Sequence, residues 1–120
     1  MIEAPISVGE LFDKITILQI KVEYGIKEAQ KELQVLQDKI PPNLPGPVHA
    51  AVEILRSINE ACWDTEESKR LHEREKRFDD EFIHLARSVY MFNDERARVK
   101  KIINQFSGSE IVEYKSYEEY

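Results

Sequence analysis

From Ser7 to Ile40 the chain runs without a proline, and its apolar residues recur at helical spacing. No other feature constrains the fold as strongly. Val8, Leu11, Ile15, Leu18 and Val22 step by three and four, and so do Ile26, Ala29, Leu33, Leu36 and Ile40. Such spacing lays one apolar stripe along a helix. Ser7 is a favourable N-cap, and Glu10, three residues on, completes a capping box. Ile6 and Leu11 are placed to staple over that cap. The pattern predicts a helix over residues 7–40, about 50 Å long at a rise of about 1.5 Å per residue. One irregularity marks it: the step from Val22 to Ile26 repeats a four, and Gly25 lies inside it. Before Gly25 the helix is apolar on several faces, through Phe12, Ile17, Ile20 and Tyr24, and reads as a core strut. After Gly25 it keeps only a narrow stripe, which suits a two-helix contact.

Four of the five prolines fall at 41, 42, 45 and 47. Consecutive prolines enforce extended backbone and remove amide donors, so the first helix ends there. Pro47 suits the first turn of a second helix over residues 47–75. Ala51, Ile54, Leu55, Ile58, Ala61, Cys62 and Thr65 mark its buried side. From Asp64 the sequence turns strongly charged, which fits a projecting end, a kink near residues 64–65, or fraying before Arg77. Asp79 is a good N-cap for a third helix over residues 79–106, with Asp80 and Glu81 at its positive end and Phe78 and Ile83 as a staple. Its apolar face takes in Phe82, Leu85, Val89, Tyr90, Phe92, Val99, Ile103 and Phe106, and Gly108 is a natural closing residue. Basic residues at 96, 98, 100 and 101 suit the negative end of its dipole. The expected fold is all-α, a single domain over residues 1–120 with three long antiparallel helices. Short extended segments flank it. Residues 1–6 could form an edge strand, and Ile111 to Tyr114 in the tail (107–120) has strand-like content. Three antiparallel helices would put those two segments at opposite poles.

Composition removes several function classes. The net charge of −6 argues against nucleic acid and against an anionic membrane surface. Cys62, alone, excludes an intramolecular disulfide and a cysteine-based zinc site. No apolar run approaches the roughly 20 residues of a membrane span, and the first residues show no leader pattern. A cytoplasmic protein is the expectation.

Polar residues among the apolar stripes are the candidate site. Asp13, Lys14 and Thr16 interrupt the first helix, Asn59 and Asp64 flank Trp63 on the second, and Arg87, Asn93, Asp94 and Arg96 lie on the third. One reading is a network that satisfies itself and fixes helix register. The other is a site for a small anionic or sugar-like ligand, with Arg87, Arg96 and Lys14 as donors. His84 lies one turn from Asp80, and His72 is close in sequence to Glu73 and Glu75, but no H-E-x-x-H is present. Surface histidines, no metal and no cofactor are expected. Cys62 on an apolar helix side reads as a core residue, and neither a nucleophile elbow nor a glycine-rich phosphate loop is present. Helical nucleotide pyrophosphohydrolases need paired E-x-x-E and E-x-x-D motifs, and only Glu110 with Glu113 fits the first. Helical chorismate mutases use arginines of the first helix, which here holds lysines and no arginine.

The segments ELFDKITIL (residues 10–18) and ARSVYMFND (residues 86–94), with the tail EYKSY, resemble a small bacterial family of unknown function. The resemblance covers nearly the whole chain and implies no activity. It implies, by association, a setting near glycosyltransferases and cell-surface polysaccharide. The sequence therefore points to a non-catalytic helical interaction or accessory module that forms a homodimer or binds a protein partner. The alternative is a small ligand-binding protein or enzyme built on the polar residues.

Overall fold

A computed structural model describes residues 1–109. The described residues form four helices: α1 (Val8–Glu23), α2 (Ala29–Gln37), α3 (Gly46–Glu75) and α4 (Asp80–Ser107). The all-α expectation holds, but the single helix over residues 7–40 does not. It breaks at Gly25, whose φ of +88° lies in the left-handed region. The Gly25 N–H donates to the Val22 carbonyl and the Ile26 N–H to the Lys21 carbonyl, each at 3.0 Å. That pair of bonds is a Schellman closure, which stops a helix rather than bending it. The stripe continues in phase beyond the stop because Ala29 and Leu33 still pack into the same core.

The other boundaries follow the sequence closely. Ser7 caps α1, its hydroxyl accepting from the Glu10 N–H at 3.0 Å. Pro47 stands in the first turn of α3. Asp79 caps α4 by accepting from the Phe82 N–H at 3.0 Å, and Gly108 closes it at φ +69°. Helix α3 is continuous through Asp64 and Thr65 and ends only at Lys76. Phe78 and Ile83 are both about half exposed, and the Phe78 ring meets Phe82 edge-on at 5.3 Å. Residues 1–6 are exposed and form no strand. Residues 111–114 lie outside the described residues.

Helices α3 and α4 form an antiparallel hairpin, with His72 facing Phe82 near the turn and Asn59 facing Arg96 further down. Helix α1 runs against α4, since Gly9 meets Asn104 and Asp13 meets Lys100. It therefore runs alongside α3, and α2 with the proline segment carries the chain back between them. This added reversal puts the start of α1 beside the end of α4, where the Val8 N–H donates to Ser109 Oγ at 3.3 Å. The opposite-pole arrangement expected for three helices is thereby overturned.

The core lies at the base of the hairpin. It gathers Leu11, Phe12, Ile15 and Leu18 of α1, Ala29 and Leu33 of α2, Val48, Ala51 and Leu55 of α3, and Val99 and Ile103 of α4. Leu36, Ile40 and Leu44 close its edge. Ile54 and Phe106, expected inside, are about half exposed, because neither α1 nor α2 reaches their side of the hairpin. Beyond the base, the hairpin forms an arm. From residue 60 to residue 98 only Thr65 and His72 are buried.

The hairpin turn carries a local cost. Lys76 closes α3 at φ +53°, with Lys76 N–H to Glu73 and Arg77 N–H to His72 as the two Schellman bonds. A side chain in that region costs about 1 kcal/mol relative to glycine. Lys76→Gly is expected to stabilise the chain by about 1 kcal/mol, since the Lys76–Glu73 bridge it removes is fully at the surface. Thermal denaturation with the melting temperature raised by about 3–6 °C would show it.

Candidate functional site

Gly9 lets α1 touch α4. A Cβ built on it would lie 2.5 Å from the Lys100 carbonyl oxygen and 2.9 Å from Asn104 Oδ1. With hydrogen in that place, the Gly9 N–H instead donates to Asn104 Oδ1 at 2.7 Å. This uses one of the free amides in the first turn of α1. The approach brings Asp13, one turn on, against the inward side of α4.

Asp13 is 4% exposed, and polar side chains of α3 and α4 reach its carboxylate. Asn59 of α3 donates through Nδ2 to Asp13 Oδ1 at 3.0 Å and to Thr16 Oγ1 at 2.9 Å. The Thr16 hydroxyl donates to the Asp13 backbone carbonyl at 3.0 Å. Arg96 Nε stands 3.6 Å from Asp13 Oδ1, and its Nη1 reaches Asn59 Oδ1 at 3.5 Å. Lys100 Nζ lies 2.6 Å from Glu10 Oε2 and 3.6 Å from Asp13 Oδ2. Two carboxylates, Glu10 and Asp13, thus meet two cations, Arg96 and Lys100, and the cluster is neutral. Asn59 spends both amide hydrogens inside it. Three helices are tied together at one point, as a register-fixing network requires.

The predicted site residues divide. Asp13, Asn59 and Arg96 come together. Lys14 is exposed, turned outward to Glu10 at 3.8 Å. Asp64 accepts from the Tyr24 hydroxyl at 3.1 Å, and that bond pushes the Tyr24 phenol up from its ordinary value. Tyr24 also stacks on Trp63 at 5.2 Å, so this pair fastens the end of α1 to α3. Arg87 and Asn93 are exposed and Asp94 is half-buried, all toward the hairpin tip and outside the network. The missed members are Glu10, Lys100, Asn104 and Gly9. Lys100 was hidden in a basic run that suits a helix end. The readable signal was that Arg96 and Lys100 share a face, as do Glu10 and Asp13.

Two other expectations meet the structure differently. Cys62 is half-buried, and burial pushes its thiol up, away from nucleophilic use. His84 is exposed as expected, but His72 is buried, and it faces Asp79 and Glu81 across the turn rather than Glu73 and Glu75.

The model of a family of unknown function, DUF6165, matches residues 2–120. The chain belongs to that family. No curated protein and no solved structure gives a match. In this DUF6165 chain the polar cluster at the base of the hairpin has its hydrogen bonds and charges answered from within. Among the described residues no helix is long and apolar enough to cross a membrane.

Proposed function

We propose that this chain is a non-catalytic helical interaction module that pairs with a second copy of itself through the α3–α4 arm. The observation that carries the proposal is the bareness of the arm. Leu71, Phe78, Ile83, Tyr90 and Met91 stand between 38% and 53% exposed on an arm in which, from residue 60 to residue 98, only Thr65 and His72 are buried. An antiparallel helix pair covers only the seam between its members. Two such pairs, packed face to face, form a four-helix bundle and cover the flanks as well. Both signs of charge are interspersed along the arm, with Arg70, Arg74 and Arg87 among Glu67, Glu73 and Glu81. That mixture suits a two-fold contact with an identical surface better than a strongly basic or acidic partner. A setting near polysaccharide-building enzymes is supported by the family resemblance alone, and no side chain of the arm argues for a sugar.

Light scattering coupled to size-exclusion chromatography tests the pairing. The expected mass is twice 14.1 kDa at tens of micromolar. Ile83→Arg combined with Met91→Arg, both at exposed positions, is expected to give a monomer with unchanged helical circular dichroism. A wild-type monomer at these concentrations would remove the proposal.

A further inference from the structure

The turn that closes the arm holds a second polar cluster, unlike the first in that one of its buried polar atoms has no hydrogen-bond partner. His72 is 2% exposed. Its Nδ1 lies 2.8 Å from the Ser68 carbonyl oxygen, which only accepts, so Nδ1 carries a proton and donates. In the neutral ring the other nitrogen, Nε2, is then a bare lone pair. Nε2 is buried and has no hydrogen-bond partner. It points at Asp79 Oδ1 and Glu81 Oε2, each 3.6 Å away. In that tautomer an acceptor is buried against two carboxylate oxygens, which is unfavourable, and a cation bound between the three atoms would relieve it. Arg77 already holds the carboxylates but not the ring: its Nη1 lies 3.4 Å from Asp79 Oδ2 and 3.3 Å from Glu81 Oε2.

We propose that His72 Nε2, Asp79 and Glu81 form a divalent metal site, with Zn²⁺ the cation its donors fit best. The three donor atoms lie within 4.8 Å of one another. Bonds of about 2.0–2.2 Å at tetrahedral angles put ligand atoms about 3.3–3.6 Å apart, so the histidine-to-carboxylate distances of 3.6 Å already lie at the edge of that range. The set of one imidazole and two carboxylates favours zinc and its late first-row neighbours over Mg²⁺ and Ca²⁺, which prefer oxygen alone. The Nδ1 bond to a backbone carbonyl is the outer support that holds a ligating histidine in the required tautomer. Asp79 keeps its cap while ligating, because a carboxylate oxygen has two lone pairs, one for the Phe82 N–H and one for the metal. Phe82 and Phe78 wall the buried side, with the His72 and Phe82 rings 6.0 Å apart. Asp79 and Glu81 are exposed, which leaves a route in and room for water as fourth ligand. No part of the site belongs to the core or to the Asp13 network, so bound zinc would staple the α3–α4 turn.

Isothermal titration calorimetry of the full chain with ZnCl₂, after chelator treatment, tests this. One zinc per chain is expected, with a melting temperature that rises with zinc concentration as binding to the native state requires. MgCl₂ at the same concentration is expected to do neither. His72→Gln is expected to abolish binding. Glu81→Gln and Asp79→Asn are expected to weaken it more than about tenfold, and the asparagine retains the cap of α4. His84→Gln, on the exposed surface nearby, leaves binding unchanged. X-ray absorption of the zinc-loaded chain should report one nitrogen and otherwise oxygen in the first shell. Full binding by Glu81→Gln and Asp79→Asn, each with wild-type helicity, overturns the proposal, and so does the absence of any zinc effect on melting.

Discussion

Gly9→Ala is expected to cost about 3 kcal/mol and to lower the melting temperature by about 10–15 °C. A single methyl group causes this because of where it would go. Its carbon would sit 2.5 Å from the Lys100 carbonyl oxygen, and that oxygen belongs to the backbone of a packed helix and cannot swing away. Helix α1 must retreat from α4 by several tenths of an ångström. The retreat stretches the Gly9 N–H to Asn104 Oδ1 bond, which is buried at both ends. Overpacking of this kind costs about 1–3 kcal/mol, and a buried donor left without its acceptor costs a similar amount. Better helix propensity of alanine returns at most about 1 kcal/mol. Gly46→Ala is the control. It also lies in the first turn of a helix, but a Cβ there meets nothing within 4 Å. Its melting temperature should match or slightly exceed that of the wild type. Equal melting of Gly9→Ala and wild type would mean that α1 and α4 do not approach as described.

The sequence carried the helix ends well because each is decided by a few neighbouring residues. Ser7, Asp79 and Gly108 act through bonds to amides and carbonyls within five residues, so their types and spacing state the outcome. The break at Gly25 shows in the sequence only as a phase change within a stripe that otherwise reads as continuous. Periodicity records which face is buried, and Ala29 and Leu33 bury the same face whether the chain runs straight or turns back. Whether a glycine takes φ +88° is settled by the core that the returning segment finds. That one choice altered the count of helices and brought the start of α1 beside the end of α4.

The candidate site was half legible for the same reason. Asp13, Asn59 and Arg96 stood out as polar residues interrupting apolar stripes. Glu10 and Lys100 did not, because each already had a local explanation, one as a capping-box residue and one as a cation near a helix end. Both serve in addition as partners across the α1–α4 contact. Arg87 and Asn93 share a helix with Arg96 but not its surroundings. The base of the hairpin is covered by α1 and the arm is not, and only the tertiary fold shows where that cover stops. His72 likewise sits in a strongly charged stretch that reads as solvated, and its burial depends on Phe82 reaching across a turn.

Asp13→Ala distinguishes the register reading of the polar cluster from the ligand reading. If Asp13 ties three helices together, its removal should cost about 3 kcal/mol or more, because it leaves buried charge and an unmatched amide behind. Lys100, with a side chain only 7% exposed, would lose one of its two carboxylate neighbours. Arg96, about one-third exposed, would turn to water. Asp13→Asn should cost less, since Asn59 can still donate to its oxygen while the charge is lost. The paired replacement Asp13→Leu with Lys100→Met should recover most of the loss of Asp13→Ala, because apolar groups of similar size replace a buried ion pair with little net cost. A ligand-binding carboxylate behaves in the opposite way. Such groups are held at the expense of stability, so Asp13→Ala would leave the melting temperature unchanged or raise it. Chemical denaturation of the four proteins, read at a shared slope so that midpoints report stability alone, decides between them. The order expected for a structural cluster is wild type, then the double variant and Asp13→Asn close together, then Asp13→Ala well below.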